Sequence, residues 1–336
     1  MNIDKIQKII EKEDDFWGVC HIKQNDRNLL NAAKGWANPF EKIPNKINTS
    51  FGIASGTKGF TSLAILKLID AGKLSFSDDV FSILPYSFPH IDGKITVKHL
   101  LTHTSGIYDY LDEDIDDDFS KTFKKIPINS IHGPSDMLEV LTGRQSYFSP
   151  GEKFKYSNSG FVVLGILIEV ISKMPYADFL TENVIKPMRL KHTGCYKTNR
   201  LPQNCAVGYT KDSSGSWYSN IFEIPLACTA DGGLYTCADD VSLMWENLLN
   251  GRFLSESLTN LAFTKHAHIK NNDYYGLGFY INCDENKRAL SYSLVGSDPG
   301  VSFVSKYTIK SRSLITIISN TDSGAWNLNK KISEYL

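Results

Sequence analysis

Among the things this 336-residue chain lacks is an excess of charge of either sign: 36 basic side chains stand against 37 acidic ones, a formal net charge of −1. A protein that grips phosphates along a nucleic acid, or an anionic lipid surface, needs a basic surplus. Nucleic-acid and polybasic membrane partners are therefore excluded as the chain's main business. It also lacks a long apolar run. The longest, Phe161 to Ile168, falls far short of the roughly 20 residues that cross a bilayer, so no membrane span is expected. The start, Met1-Asn2-Ile3-Asp4-Lys5, has neither the basic opening nor the apolar stretch of a secretory signal. As written the chain reads as cytoplasmic, or extracytoplasmic had a leader been removed before this numbering. The six cysteines (20, 195, 205, 228, 237 and 283) include no Cys-x-x-Cys pair. They read as free thiols rather than a disulfide framework or a zinc site. The His99/His103 pair has helical spacing but no Glu of a His-Glu-x-x-His motif, and His266/His268 stands alone, so no metal is expected.

Apolar material, by contrast, is plentiful: 42% hydrophobic and 12% aromatic residues are enough for a packed core. The first fifty residues read as hairpin material, with strands through Phe16–Ile22 and Leu29–Trp36 around an Asn25-Asp26 turn. From Phe60 to Ala71 the pattern is helical and apolar nearly all round, the mark of a buried helix, which Gly72 ends. Ser135–Leu141 and Ser159–Lys173 are further helical segments, the second stopped before Pro175. Strand signals return at Tyr275–Ile281, Ala289–Val295, Val301–Ile309 and Leu314–Ser319, and Ala325–Leu336 closes the chain as an amphipathic helix. Strands at both ends with helices between predict one α+β unit. Its sheet lobe takes residues 1–75 and 231–336, and a mainly helical lobe spans 76–230. Six acids crowd the seven positions 112–118, partly balanced by Lys121, Lys124 and Lys125. That segment reads as a solvated loop; a sharper reading is an acidic lid beside a site for a cationic substrate.

Ser55-Gly56-Thr57-Lys58 lies where the strand region gives way to the buried helix. Residues i and i+3 share a helical face, so Lys58 can reach the Ser55 hydroxyl, and a helix N-terminus favours negative charge there. A lysine buried in such a helix loses part of its preference for charge and can serve as a base. The motif alone is weak, since about one Ser-x-x-Lys is expected by chance in a chain this long, and one occurs. Its surroundings are more specific. Phe51-Gly-Ile-Ala-Ser-Gly-Thr-Lys-Gly-Phe60 runs into Ala64-Ile-Leu-Lys-Leu-Ile-Asp-Ala-Gly-Lys-Leu74. Ile95-Thr-Val-Lys-His-Leu-Leu-Thr-His-Thr-Ser-Gly-Ile107 follows, then Phe148-Ser-Pro-Gly-Glu-Lys-Phe-Lys-Tyr-Ser-Asn-Ser-Gly160. In this order, from about Phe51 to Gly300, the chain resembles the class C β-lactamase and penicillin-binding-protein family of serine hydrolases, which includes esterases and D-amino-acid peptidases.

The resemblance implies a β-lactamase/transpeptidase-like fold, an antiparallel sheet flanked by helices with an inserted, mainly helical lobe. It implies catalysis through an acyl-enzyme with no metal or organic cofactor. Ser55 would be the nucleophile, with Lys58 and Tyr156 managing its proton and Asn158 holding Lys58 and the substrate. The Tyr-x-Asn triplet has rivals at Tyr218-Ser219-Asn220 and Tyr280-Ile281-Asn282, but Tyr156-Ser157-Asn158 alone follows a Pro-Gly turn and opens a helix. Counting back from Pro299-Gly300, the third family motif falls on Leu294-Val295-Gly296, with leucine where relatives carry Lys or His. Gly296 keeps the backbone open beside the site, and the N–H groups of Ser55 and Ser297 would form the oxyanion hole. Losing a cation there removes a charge-assisted hydrogen bond to a substrate carboxylate, worth about 1.5–3 kcal/mol. The expected substrate is a small ester, a peptide or a β-lactam, with oligomeric state left open. The alternative is a β-lactam-binding or sensing protein that turns over little. Ala230-Asp231-Gly232-Gly233 reads as structural or as part of the cleft wall, and His103 and Ser105 as scaffold.

Overall fold

The computed structural model describes all residues except 89, 92, 113–122, 124, 125, 142 and 143, so most of the acidic 112–118 segment and Lys121, Lys124 and Lys125 lie outside it. Eight antiparallel strands form the main sheet. Two come from the N-terminal region, β1 (Gly18–Gln24) and β2 (Arg27–Lys34). Six come from the C-terminal region: β3 (Ala267–Lys270), β4 (Asp273–Tyr275), β5 (Tyr280–Cys283), β6 (Ala289–Asp298), β7 (Val301–Thr308) and β8 (Ser313–Ser319). Their order across the sheet is β2-β1-β8-β7-β6-β5-β4-β3. The β1–β8 pairing, Gly18 opposite Ser319 through Gln24 opposite Ser313, joins the two ends of the chain. The expected Asn25-Asp26 turn is present, with both residues at positive φ (48° and 63°), as a tight hairpin demands.

Five longer helices flank the sheet: α1 (Ile3–Lys12), α2 (Thr57–Asp70), α3 (Asn158–Ser172), α4 (Ala238–Leu249) and α5 (Gly324–Ile332). Alternation along β1 and β8 divides two cores. Cys20, Ile22, Ile315 and Ile317 face α1 and α5, packing with Ile6, Ile10, Leu328 and Ile332. Val19, Leu314 and Ile318 face the other way, into the larger core that contains α2 and α3. α2 and α3 pack against each other and are buried along most of their length, as their all-round apolar patterns require.

Two expectations need correction. The first fifty residues are not all hairpin: α1 precedes it, capped by the Asn2 side chain, with Ile3, Ile6, Ile9 and Ile10 at helical spacing on the sheet-facing side. Nor is Tyr275–Ile281 one strand. It breaks at Gly276–Gly278 because the chain runs against α2 there; a Cβ on Gly278 (φ +89°) would lie 2.1 Å from the Ser62 Oγ. Among the described residues no single helix is long and apolar enough to cross a membrane.

Candidate active site

Ser55 sits in a 3-10 turn, Ala54–Gly56, that leads directly into α2. The turn is tightly specified. Ala54 holds a left-handed φ of +46° while buried, and its carbonyl accepts the Thr57 hydroxyl at 2.7 Å. Thr57 Oγ1 in turn accepts the Leu234 N–H at 3.0 Å. A left-handed alanine is strained, and strain of this sort persists where its surroundings fix the backbone firmly.

In the first turn of α2, Lys58 is 2% exposed. Its Nζ donates to Ser55 Oγ at 2.9 Å, to Asn158 Oδ1 at 2.8 Å and to the Asp231 carbonyl at 2.8 Å. These three acceptors match the three donors of an ammonium, which is how a buried lysine escapes most of its desolvation cost. The Nζ also lies 5.0 Å from the Tyr156 ring centroid, within cation–π range. Residues 55, 58, 156 and 158, far apart in sequence, therefore converge.

α3 supplies the second wall. Ser157 caps it, its Oγ accepting the Gly160 N–H at 3.1 Å, so Tyr156 and Asn158 flank the helix start. Asn158 Nδ2 donates to Asp109 Oδ2 (3.2 Å) and to the Leu111 carbonyl (3.2 Å), which fixes its oxygen toward Lys58. Asp109 Oδ1 accepts the Ser159 N–H at 3.0 Å. Burial pushes the Asp109 carboxyl up to about 7, only partly opposed by its hydrogen bonds to Ser159 and Asn158 and by Lys58. Asp231, whose carbonyl meets Lys58, has its carboxylate bonded to the Tyr110 hydroxyl (2.6 Å) and the Thr229 hydroxyl (2.7 Å). Burial, with Asp231 beside it, holds the Tyr110 phenol well above its ordinary value. Motif reading placed Asp231 in a wall segment and passed over Asp109 and Tyr110. No periodicity or spacing flags them; only the fold brings them to Asn158 and Lys58.

β6 closes the third side. A Cβ on Gly296 would lie 2.1 Å from the Ile53 carbonyl and 2.9 Å from the backbone nitrogens of Ser55 and Gly56. Glycine is required for this close approach. It brings Ser297 beside the Ser55 turn, and both residues line two cavities that meet at Ser55. The narrower one has mixed walls, Leu111, Phe123, Ile224 and Pro225 beside Asp231 and Asp298. The wider, about 280 Å³, is bordered by Tyr156, Tyr280, Val295 and Trp326. Leu294 borders neither. Its side chain is buried on the opposite face of β6, in the core, in contact range of Gly59 on α2. On this strand Val295, Gly296 and Ser297 line the wider cavity, and Leu294, expected to orient substrate, lies in the core instead.

Among the described residues, the cavity walls carry the carboxylates of Asp109, Asp112, Asp231 and Asp298, and the ammonium of Lys155. Lys155 pairs with Asp112 at 3.2 Å. His103 and Ser105 line neither cavity; His103 lies behind Tyr156 with ring centroids 4.4 Å apart. The rival triplets sit elsewhere, Tyr218-Ser219 on a short surface strand, though Tyr280 does border the wider cavity.

A model of the Beta-lactamase family matches residues 7–336. The chain belongs to that family. It is similar to PbpX of Bacillus subtilis, 29% identical over 99% of this chain and 79% of the relative. It is also similar to Protein flp of Staphylococcus aureus, 31% identical over 79% of this chain, though it spans only about half of that protein (52%). A solved penicillin binding protein from Bacillus halodurans superimposes with a TM-score of 0.93, at 35% identity, over 98% of this chain and 100% of that one. At 23% identity, a D-stereospecific amidohydrolase from Streptomyces (TM-score 0.80, 99% and 98% covered) and the hydrolase EstCE1 (0.79, 97% and 95%) share the fold. The β-lactamase/transpeptidase-like architecture is thus shared by family members and by hydrolases of more than one description.

Proposed function

We propose that this chain is a serine hydrolase that works through an acyl-enzyme on Ser55, and that its substrate is an ester or amide without a recognition carboxylate. The carrying observation is the 2.9 Å contact between a buried lysine and a serine hydroxyl that opens onto two cavities. Ser55 Oγ attacks the carbonyl carbon, and its proton passes to the Lys58–Tyr156 pair. The developing oxyanion lies at the N–H groups of Ser55 and Ser297, at the start of α2. Tyr156 borders the wider cavity, so the leaving group departs on that side, receiving a proton from the phenol. The acyl part occupies the narrower cavity, against Leu111, Phe123, Ile224 and Pro225. Water entering from the vacated side then reverses the sequence and frees the acid.

The substrate reading rests on β6. The strand carries no Lys, Arg or His, and the side chain it turns to the wider cavity between Leu294 and Gly296 is that of Val295. No positive group is offered from this strand to a substrate carboxylate, which favours a small ester or amide over a penicillin. The test pairs a chromogenic short-chain ester with a chromogenic cephalosporin, using Ser55→Ala as the control. Ester turnover with an acyl adduct on Ser55 by mass spectrometry is expected. Fast cephalosporin turnover with an inert ester would overturn the substrate reading, and equal phosphonate labelling of the wild type and Ser55→Ala would overturn the nucleophile.

A further inference from the structure

We infer that His103 is a positioning residue for Tyr156, holding the phenol at its place beside Ser55 and Lys58 through contacts on both sides of it. The inference rests on the hydrolase reading for its consequence, but its geometry stands independently. His103 belongs to a turn whose backbone and side chains capture the segment before α3. Tyr147 N–H donates to the Gly106 carbonyl at 2.7 Å, and Gly151 N–H to the Thr104 carbonyl at 2.7 Å. His103 takes the two N–H groups that bracket Tyr156. Lys155 N–H donates to its carbonyl at 2.9 Å, and Ser157 N–H to its ring Nδ1 at 3.1 Å. Between those anchors the imidazole lies against the Tyr156 ring itself, 4.4 Å between centroids with planes 34° apart.

The same histidine is held in one tautomer. Because Nδ1 accepts from Ser157, the ring proton is on Nε2, a buried atom with no hydrogen-bond partner among the described residues. Aromatic rings surround the imidazole instead: Tyr275 at 4.7 Å, Phe161 at 5.0 Å and Phe154, edge-on, at 5.8 Å between centroids. Burial and the nearby Lys58 charge hold its pKa well below the ordinary histidine value. A second proton would have to displace the Ser157 bond, so His103 has no route into proton transfer. Its φ of +54°, unusual for a residue with a Cβ, is sustained by the turn. Among these contacts, both hydrogen bonds the residue accepts and its shortest ring contact fall on residues 155 to 157.

The test uses His103→Ala and His103→Asn in protein carrying ¹³C-labelled tyrosine, the Tyr156 ring resonance being assigned with Tyr156→Phe. Asparagine tolerates the left-handed backbone and can offer an oxygen to the Ser157 N–H, but has no ring. We expect both variants to displace the Tyr156 ring resonance. His103→Ala should lower kcat on the ester about ten- to hundredfold with KM within about twofold, the scale for a slightly misplaced catalytic group. His103→Asn should recover most of that loss. A folded variant of either kind with an unmoved Tyr156 resonance overturns the inference. So does an effect confined to KM, or a kcat loss matched by the loss of folded protein in circular dichroism. Should His103→Ala not fold, the Tyr156 resonance in His103→Asn decides alone. The ring resonance needs no substrate, so absent phosphonate labelling of wild-type Ser55 would sink the hydrolase reading while leaving this result to be judged separately.

Discussion

Gly296 shows how a single missing side chain sets the geometry of the cleft. With a Cβ 2.1 Å from the Ile53 carbonyl, Gly296→Ala must push β6 off the turn that carries Ser55. Overpacking of this kind costs about 1–3 kcal/mol, and the Ser297 N–H would move with the strand. The variant should therefore lose both melting temperature and acylation rate, measured as phosphonate labelling of Ser55; unchanged labelling would mean that β6 does not set the oxyanion hole. Asp109 offers a second check. Its folded-state value of about 7 lies above the ordinary 3.8, so the folded protein holds that proton more tightly than the unfolded chain. The sign follows: stability from this group is complete below about pH 4 and is lost as pH rises to about 7. Chemical denaturation of Asp109→Asn against wild type should show the smaller fall in the variant between those limits. Ser55, Lys58, Tyr156 and Asn158 were legible because the segments around them resemble a known family; a shared helical turn and a helix start only made the reading plausible. Asp109 and Asp231 were not, since Asp109 meets Asn158 and Ser159 across 49 and 50 residues of chain, and Asp231 meets Tyr110 across 121.

At the level of elements, most of the sheet and the two buried helices were readable because their patterns are strong: β-rich runs between turn signals in β1, β7 and β8, apolar residues on every side of α2 and α3. α1 was legible too and was missed: Ile3, Ile6, Ile9 and Ile10 fall at helical spacing behind an Asn2 cap, a pattern the sequence carries in full. Its partner surface is the smaller core, on the face of the sheet turned away from α2. Ile6→Ala removes a fully buried side chain there. Such truncations cost about 2–5 kcal/mol. α1 contributes no residue to either cavity wall, so urea unfolding should shift to lower midpoint while phosphonate labelling of Ser55 per folded molecule stays as in wild type. A loss of labelling at full folding would show that α1 reaches the cleft through α5, whose Trp326 borders the wider cavity.

For the molecule as a whole, the balance of 36 basic and 37 acidic residues gives no hint of how charge is placed. The cleft is where the balance fails. Four carboxylates (Asp109, Asp112, Asp231 and Asp298) border the cavities beside Ser55, while the described cations near it, Lys58 and Lys155, are bound to Ser55, Asn158 and Asp112. Asp109 is in addition partly protonated near neutrality, which moderates the negative potential without reversing it. A substrate that brings its own carboxylate would enter this field against repulsion, with no charged partner from β6 to compensate. The expected outcome is a preference in kcat/KM of about tenfold or more for a neutral ester over the same molecule bearing a free carboxylate. That is the reverse of the preference a compensating charge-assisted bond of about 1.5–3 kcal/mol would give. Because part of the discrimination acts through partly solvated groups, raising the salt from 0.05 M to 0.5 M should narrow it. A cleft that prefers the carboxylate at both salt concentrations would mean that a positive group reaches the site in the working enzyme, and the substrate assignment would have to move toward β-lactams and peptides.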